Sequence, residues 1–554
     1  MGAMGCKHTD IADSVIINAN IYAVDTIYDA NAIAIKGDRI WKIGKWEALE
    51  PFTDENTQII DAQGHFVMPG FIEGHGHYNG LGKSLMNLNF LNAKSWESIV
   101  DDVAEKVKET PAGTWIIGRG WHQEKWDSVP ARNIYKYPFH EALSRVSPDN
   151  PVVLYHASGH ALFANQKAMS VVGITKETPN PVGGEIVRDI NGEAIGVFEE
   201  RAMDIFNNKY DEYIASLDPK VLDSIWLAGF KLAENECLKY GVTSFEDAGS
   251  SFSDLNKYKK LAEDGKMRVR LWAMMLEPED SLATKAIKYK AINVGNHFYT
   301  CNAIKCFVDG ALGSFGAWLL EPYSDKRGFT GQNTTDLSEL KRIADMAIKD
   351  DVQLCVHAIG DRANREVLNN YEEVFKNHPD KKDLRWRIEH AQHLHPDDMK
   401  RFVDLGVIAS IQAIHCTSDA PFVVQRLGEE RARTGAYPWR SLLDLGVTVM
   451  NGTDVPVEHI DPFRNFYAAV TRKREDTGMA FFPEQKMTRE EAIKAYTLSN
   501  AYGAFQEDVK GSLRVGKLAD IIILDHDLIH CTDEEILDTK VLYTIVGGKI
   551  EYQQ

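Results

Sequence analysis

Two histidines separated by one residue, His75 and His77, close the segment GFIEGHGH at residues 70–77. Alternate residues of a strand share a face, so such a pair can grip one ion together. Three further groups end apolar runs in the same manner: His357 in VQLCVHAIG (352–360), His390 in WRIEHAQ (386–392) and Asp454 in VTVMNGTD (447–454). Imidazole and carboxylate together suit zinc and related divalent metals. Lys305 lies inside IKCFVDG (304–310). An ammonium beside two dications is electrostatically costly. A neutral lysine can instead react with carbon dioxide to give an anionic carbamate, whose two oxygens can bridge two metals. A lysine paired with Asp309 or another carboxylate is the alternative. One strand histidine is usually structural; four histidines and an aspartate at the same ends of successive runs carry the metal reading.

Positioning such groups requires a particular scaffold. Apolar runs ending in Gly, Asp or His occur eight times, the other four being GVTSFEDAG (241–249), VRLWAMM (269–275), IKCFVDG itself and VIASIQA (407–413). Helix-like patterns such as DLSELKRIADMAIKD and HPDDMKRFVDLG separate most of them. Continuous apolar strands alternating with helices predict a parallel sheet, and eight repeats predict an α/β fold closed as a (β/α)8 TIM-like barrel over residues 69–510. In such a barrel the C-terminal strand ends build the active site. Short β-branched runs in 13–68 and again in 511–554 predict a small β-sandwich formed by the two ends of the chain. The gap between the first and second barrel strands, 78–240, is too long for one connection and is read as an inserted subdomain over the barrel mouth. Thr488 and Glu491 have the spacing of a helix capping box.

Composition narrows the partners. The chain has 554 residues, 44% hydrophobic and 26% charged, which argues against disorder and against a disulfide scaffold. Lys plus Arg number 62 against 81 Asp plus Glu, a net charge of −19 that disfavours nucleic acid. A small-molecule substrate and a homodimer are the expected partners. Most of the seven cysteines sit in apolar runs and read as buried free thiols. Cys6 differs: the Gly5–Cys6 junction followed by the polar KHTDIAD resembles the start of a mature bacterial lipoprotein. That predicts a lipid anchor and a periplasmic or envelope-anchored location; with Cys6 in a frayed tail, the location is cytoplasmic. Further candidates for substrate binding are Asp309, Gln412 and His415 beside the strand ends, and Trp121, His122 and His160 in the insertion. Glu185 and Glu246 are candidate partners for a charged substrate group.

A series of motifs in order, MPGFIEGHGH, GRGWHQEKW, GHALFANQKAM, IKCFVDGALGS, VHAIGDRAN, RIEHAQ, NGTDVPVEHIDPF and GSLRVGKLADIIILD, resembles the YtcJ-like branch of the amidohydrolase superfamily, which includes N-substituted formamide deformylase. The resemblance implies two divalent ions, zinc first with manganese or iron as substitutes. His75 and His77 would hold one with Asp454, His357 and His390 the other, and a carboxylated Lys305 would bridge both. It implies hydrolysis of a non-peptide C–N bond of amide, formamide or N-acyl type by a metal-activated hydroxide, with Asp454 as general base and then acid. Ester, lactone or phosphotriester hydrolysis on the same centre is the alternative, and a non-catalytic binding protein a further one. Deaminases of the superfamily typically carry a Glu three residues after the fifth-strand histidine; Gly360 stands there. Glu73 departs from the Asp usual two residues before the first ligand histidine.

Overall fold

The computed structural model describes residues 10–90, 93–123, 126–128, 130–156, 161–182 and 184–554; Cys6 and His160 lie outside them. Eight parallel strands form one sheet: β1 (Phe71–Gly76), β2 (Val242–Ser250), β3 (Arg270–Met275), β4 (Tyr299–Phe307), β5 (Gln353–Ala358), β6 (Arg387–His390), β7 (Ile408–Ile411) and β8 (Val449–Asn451). Each pairs with its successor in chain order. Nearly every residue of these strands is buried, as expected for a sheet covered on both faces. Helices return the chain between strands. Ser251 caps Phe252–Glu263 by accepting from the Asp254 amide, and Asp336 caps Leu337–Asp350 by accepting from Ser338. The capping box of Thr488 and Glu491 is present on Arg489–Ala495.

Single bonds, not a ladder, close the seam from β8 to β1. The Asp454 amide donates to the His75 carbonyl at 2.7 Å, and the His77 amide to Val455 at 2.7 Å. The Asn500 side chain donates to the carbonyls of Ile72 (2.5 Å) and Asn451 (2.8 Å), lacing the two strands together. Glycine is required here: a Cβ on Gly452 would stand 2.4 Å from the His75 amide nitrogen, and one on Gly74 2.6 Å from the Asn451 carbonyl. This is the (β/α)8 architecture expected, with its two ends of chain forming additional sheets.

Those sheets share one apolar core. Strands Ser14–Ile17, Ala32–Lys36, Arg39–Gly44 and Gln58–Asp61 form one layer. Phe66–Pro69 pairs with Ile521–Leu524, which continues to Val541–Val546 and Lys549–Gln553. Ile16, Ile33, Ile35 and Ile60 of the first layer meet Val67, Ile521, Ile523 and Ile545 of the second.

Residues 79–233 form a separate compact unit, while 1–78 and 234–554 form the other. The last turn of helix Pro219–Lys239 belongs with the barrel: Glu234 accepts from the Arg268 amide at 2.6 Å and the Leu238 carbonyl from Thr544 Oγ1 at 2.7 Å. The 79–233 unit has its own six-stranded sheet, running Gly184–Arg188, Ala194–Glu200, Ala161–Ala164, Val152–His156, Ile116–Trp121 and Leu88–Asn89. All six cysteines among the described residues are free thiols, five of them buried. Among the described residues no helix is long and apolar enough to cross a membrane.

Candidate metal centre

The strand ends bring their polar groups to one place. His75 is fully buried and His77 one-third exposed; their Nε2 atoms stand 3.7 and 3.1 Å from Asp454 Oδ1. The His390 ring lies 4.8 Å from that of His75 and 4.4 Å from that of His357, centroid to centroid. Lys305, 1% exposed in β4, has its Nζ 3.5 Å from His75 Nε2. Among the described residues no carboxylate lies within 4.0 Å of that amine, so the pairing with Asp309 is not formed.

Backbone strain puts two of these groups in place. His390 has φ +75° and Asp454 φ +59°, left-handed values that non-glycine residues seldom adopt. Glu389 and His390 are neighbours and would point to opposite faces of a regular strand. The left-handed turn at His390 lets both side chains reach the centre. At Asp454 it turns the carboxylate back over β1, where the Glu73 carboxylate accepts from the Thr453 amide at 2.5 Å and from Tyr496 Oη at 2.7 Å. Glu73 therefore holds the Asp454 turn.

Electrostatics favour neutral imidazoles. Burial, with Lys305 nearby, lowers His75 to about 4, and the same causes lower His357 to about 3. Burial also holds His390 well below the usual histidine range. A neutral ring keeps one lone pair for a metal. Burial lowers Lys305 as well, favouring the neutral amine that carbamate formation needs. At Asp454 burial opposes ionisation, and the hydrogen bond from His77 is the largest of the effects that bring the carboxyl below its ordinary range.

His357 Nε2 stands 3.6 Å from Asp309 Oδ1, beyond hydrogen-bond reach. The buried rings of His75 and His390 each have an acceptor behind them: Glu389 Oε2 lies 2.5 Å from His75 Nδ1 and Gln412 Oε1 2.6 Å from His390 Nδ1. This is the arrangement that orients metal-binding imidazoles. Two groups of side chains place their ligand atoms within 4.8 Å of one another: His75, His77 and Asp454, and His390, His415 and Asp454. Asp454 belongs to both. His415 Nε2 is buried without a hydrogen-bond partner, which suits a cation in contact with both clusters.

Several residues take other roles than the substrate contacts expected of them. Gln412 is used by His390. Asp309 is buried, and its carboxylate accepts from the amides of Trp318 (2.8 Å), Gly360 (2.8 Å) and Ile359 (2.9 Å), which ties the loops after β4 and β5 together beside His357. His415 stands in a ligand cluster. Trp121 is fully buried in the core of the 79–233 unit among Trp126, Leu154 and Phe163, and its Nε1 donates to the Leu154 carbonyl at 2.7 Å. An indole whose N–H and both faces are satisfied has nothing left to offer a substrate. Glu246 pairs with Arg387 inside the barrel, not with a pocket. The His122 ring lies 4.6 Å from that of His156 in the inserted unit. The one signal of Glu389 in the sequence is its place beside His390 in RIEHAQ.

An eight-stranded barrel with imidazoles, a buried lysine and an aspartate converging at its C-terminal strand ends defines the class of barrel hydrolases. The profile of the family described as "Amidohydrolase family" matches residues 58–552, and the chain belongs to that family. It is 30% identical to Protein LONG AFTER FAR-RED 3 of Arabidopsis thaliana, over 98% of this chain and 92% of that one. It is 27% identical to the N-substituted formamide deformylase of Arthrobacter pascens, over 99% of both. Among solved structures, an uncharacterized metal-dependent hydrolase from Pyrococcus furiosus superposes with a TM-score of 0.73 at 27% identity, over 93% of this chain and 99% of that one.

Proposed function

We propose that the protein is a metal-dependent hydrolase that cleaves a non-peptide C–N bond of a small amide, with formamides and other N-acyl amines as the substrate class. The observation that carries this reading is the buried Asp454, whose carboxylate is shared by two clusters of possible ligand atoms, one with His75 and His77 and one with His390 and His415. His75, His77 and Asp454 would hold one divalent ion and His390, with His357 or His415, a second, zinc being the first expectation. Lys305, whose burial disfavours the ammonium form, would supply a carbamate ligand. Bound ions of this kind lower the pKa of water and polarise a carbonyl.

The chain's own groups do the rest. Asp454, ionised and beside the centre, takes the proton from the attacking water and returns it to the leaving nitrogen, so that C–N cleavage yields a carboxylic acid and an amine. Gln412 and Glu389 keep the His390 and His75 imidazoles aimed while this happens. The name of the Arthrobacter relative supports a formamide as the first substrate to try. The test is a panel of N-formyl amines, N-acetyl amines, esters, a lactone and a phosphotriester, assayed with zinc or manganese supplied. Turnover of N-acyl amines that chelation abolishes is expected. Turnover confined to esters, lactones or phosphotriesters would replace the C–N reading.

A further inference from the structure

Beneath the centre lies a chain of charged groups wholly shut off from solvent. Glu389 Oε2 lies 2.5 Å from His75 Nδ1 and Glu389 Oε1 3.2 Å from Arg387 Nε. Arg387 also donates to Glu246, lies 4.4 Å over the Trp272 ring and contacts Cys355 Sγ at 3.3 Å. Arg387, Glu246 and Glu389 are each 0% exposed. Removing three charges from water is costly unless they are paired, and such groups do not add stability over an apolar core. A structural pair needs one carboxylate, and Glu246 already supplies it to Arg387. The second carboxylate faces both the guanidinium and His75.

We propose that Glu389, held in place by Arg387, is a positioning residue for the metal centre: its carboxylate fixes the His75 ring with Nδ1 as donor and Nε2 free to bind an ion. An imidazole that donates from Nδ1 to a carboxylate has its lone pair on Nε2. His75 Nε2 faces Asp454 Oδ1 at 3.7 Å and Lys305 Nζ at 3.5 Å, the same space into which the other ligands converge. Because Arg387 is braced by Glu246, Trp272 and Cys355, the carboxylate cannot swing away, and the ring orientation is set before any ion arrives. The inference rests on the proposed metal-dependent function, and on this chain's own Arg387–Glu389–His75 contacts.

The test has a metal-free part and a metal-bound part. In the apoprotein labelled with 15N-histidine, His75, assigned with His75→Asn, is expected in the Nδ1-protonated tautomer. A His75 protonated at Nε2 overturns the proposal, whatever the protein binds. Zinc affinity is then measured by competition with a chromophoric chelator. Glu389→Gln, nearly the same in shape, is expected to weaken zinc by ~10–100-fold and to leave His75 as a mixture of tautomers. Asp520→Asn removes a buried carboxylate paired with Arg270, which shares no partner with Arg387, Glu389 or His75, and is expected to stay within about threefold of wild type, the scatter allowed for independent sites. Wild-type affinity in Glu389→Gln, or an equal loss in Asp520→Asn, overturns the proposal. Absence of zinc binding by the wild-type protein, with the tautomer as expected, would instead sink the proposed metal-dependent function.

Discussion

Gly452→Ala should disable the centre without touching any ligand. The added Cβ would stand 2.4 Å from the His75 amide nitrogen and 2.5 Å from Glu73 Oε1, against an ordinary contact of about 3.4 Å. The β8 end must therefore retreat from β1 by about 1 Å. Retreat stretches the Asp454 amide bond to the His75 carbonyl, now 2.7 Å, and the Thr453 amide bond to Glu73, now 2.5 Å. A neutral hydrogen bond is worth about 1 kcal/mol and one to a carboxylate about 2 kcal/mol. Overpacking adds about 1–3 kcal/mol, so a destabilisation of about 4–6 kcal/mol is expected in urea denaturation. Asp454 moves with the strand, and a displacement of about 1 Å at a reacting group costs about 10²-fold in turnover. Gly44→Ala is the control: its Cβ meets only Leu49 at 3.9 Å, and it should fall within about 0.5 kcal/mol of wild type. A Gly452→Ala protein with wild-type stability and turnover would refute the claim that the β1–β8 seam sets the position of Asp454.

Other expectations follow from single groups. Asp454→Asn keeps the size of the side chain but cannot take a proton, so a folded variant should lose at least ~10²-fold in kcat, measured with circular dichroism and metal content on one preparation; turnover within a few-fold of wild type would assign the proton to another group, His415 first. Trp121→Phe should lose about 1 kcal/mol of stability with its bond to Leu154, and should leave KM unchanged; a raised KM would return Trp121 to the substrate site. Burial lowers Lys510 to about 8 from 10.5, and its Nζ donates to Ser244 Oγ. Below pH 8 the amine is charged in both states and its burial opposes folding. As pH rises toward 10.5 the folded chain gives up the proton first, so stability rises with pH, by about 2 kcal/mol between pH 8 and pH 10. Urea denaturation at both pH values should show this gain in wild type and its loss in Lys510→Met; equal pH dependence would mean that Lys510 does not titrate in that range.

Much of this architecture is written in local pattern. Eight apolar runs with chemistry at their ends gave the barrel, and β-branched runs at both ends of the chain gave the paired sheets, because strand period and burial act over a few residues. The histidines of GFIEGHGH were legible since alternate strand positions share a face. What escaped depends on contacts distant in sequence or on unusual backbone. Glu389 sits next to His390 and should face away from it; only the left-handed turn at His390 brings both inward. Asp309 and Gln412 looked like pocket residues because they follow strand ends, yet long-range bonds to Ile359, Trp318 and His390 consume them. Trp121 lies in a motif of polar and aromatic residues, and no local pattern reveals that its N–H meets a carbonyl 33 positions away.

The most direct test is the metal content of the chain itself. Protein stripped with a chelator, reloaded with zinc or manganese and passed through a desalting column should carry about two divalent ions per chain by elemental analysis, as a shared-carboxylate dinuclear centre requires. Lys305→Ala should carry fewer, and hydrolysis of an N-acyl amine should rise in proportion to the ions restored. A reloaded, folded protein that holds no divalent ion, or one that hydrolyses the amide equally well after stripping, would contradict the account.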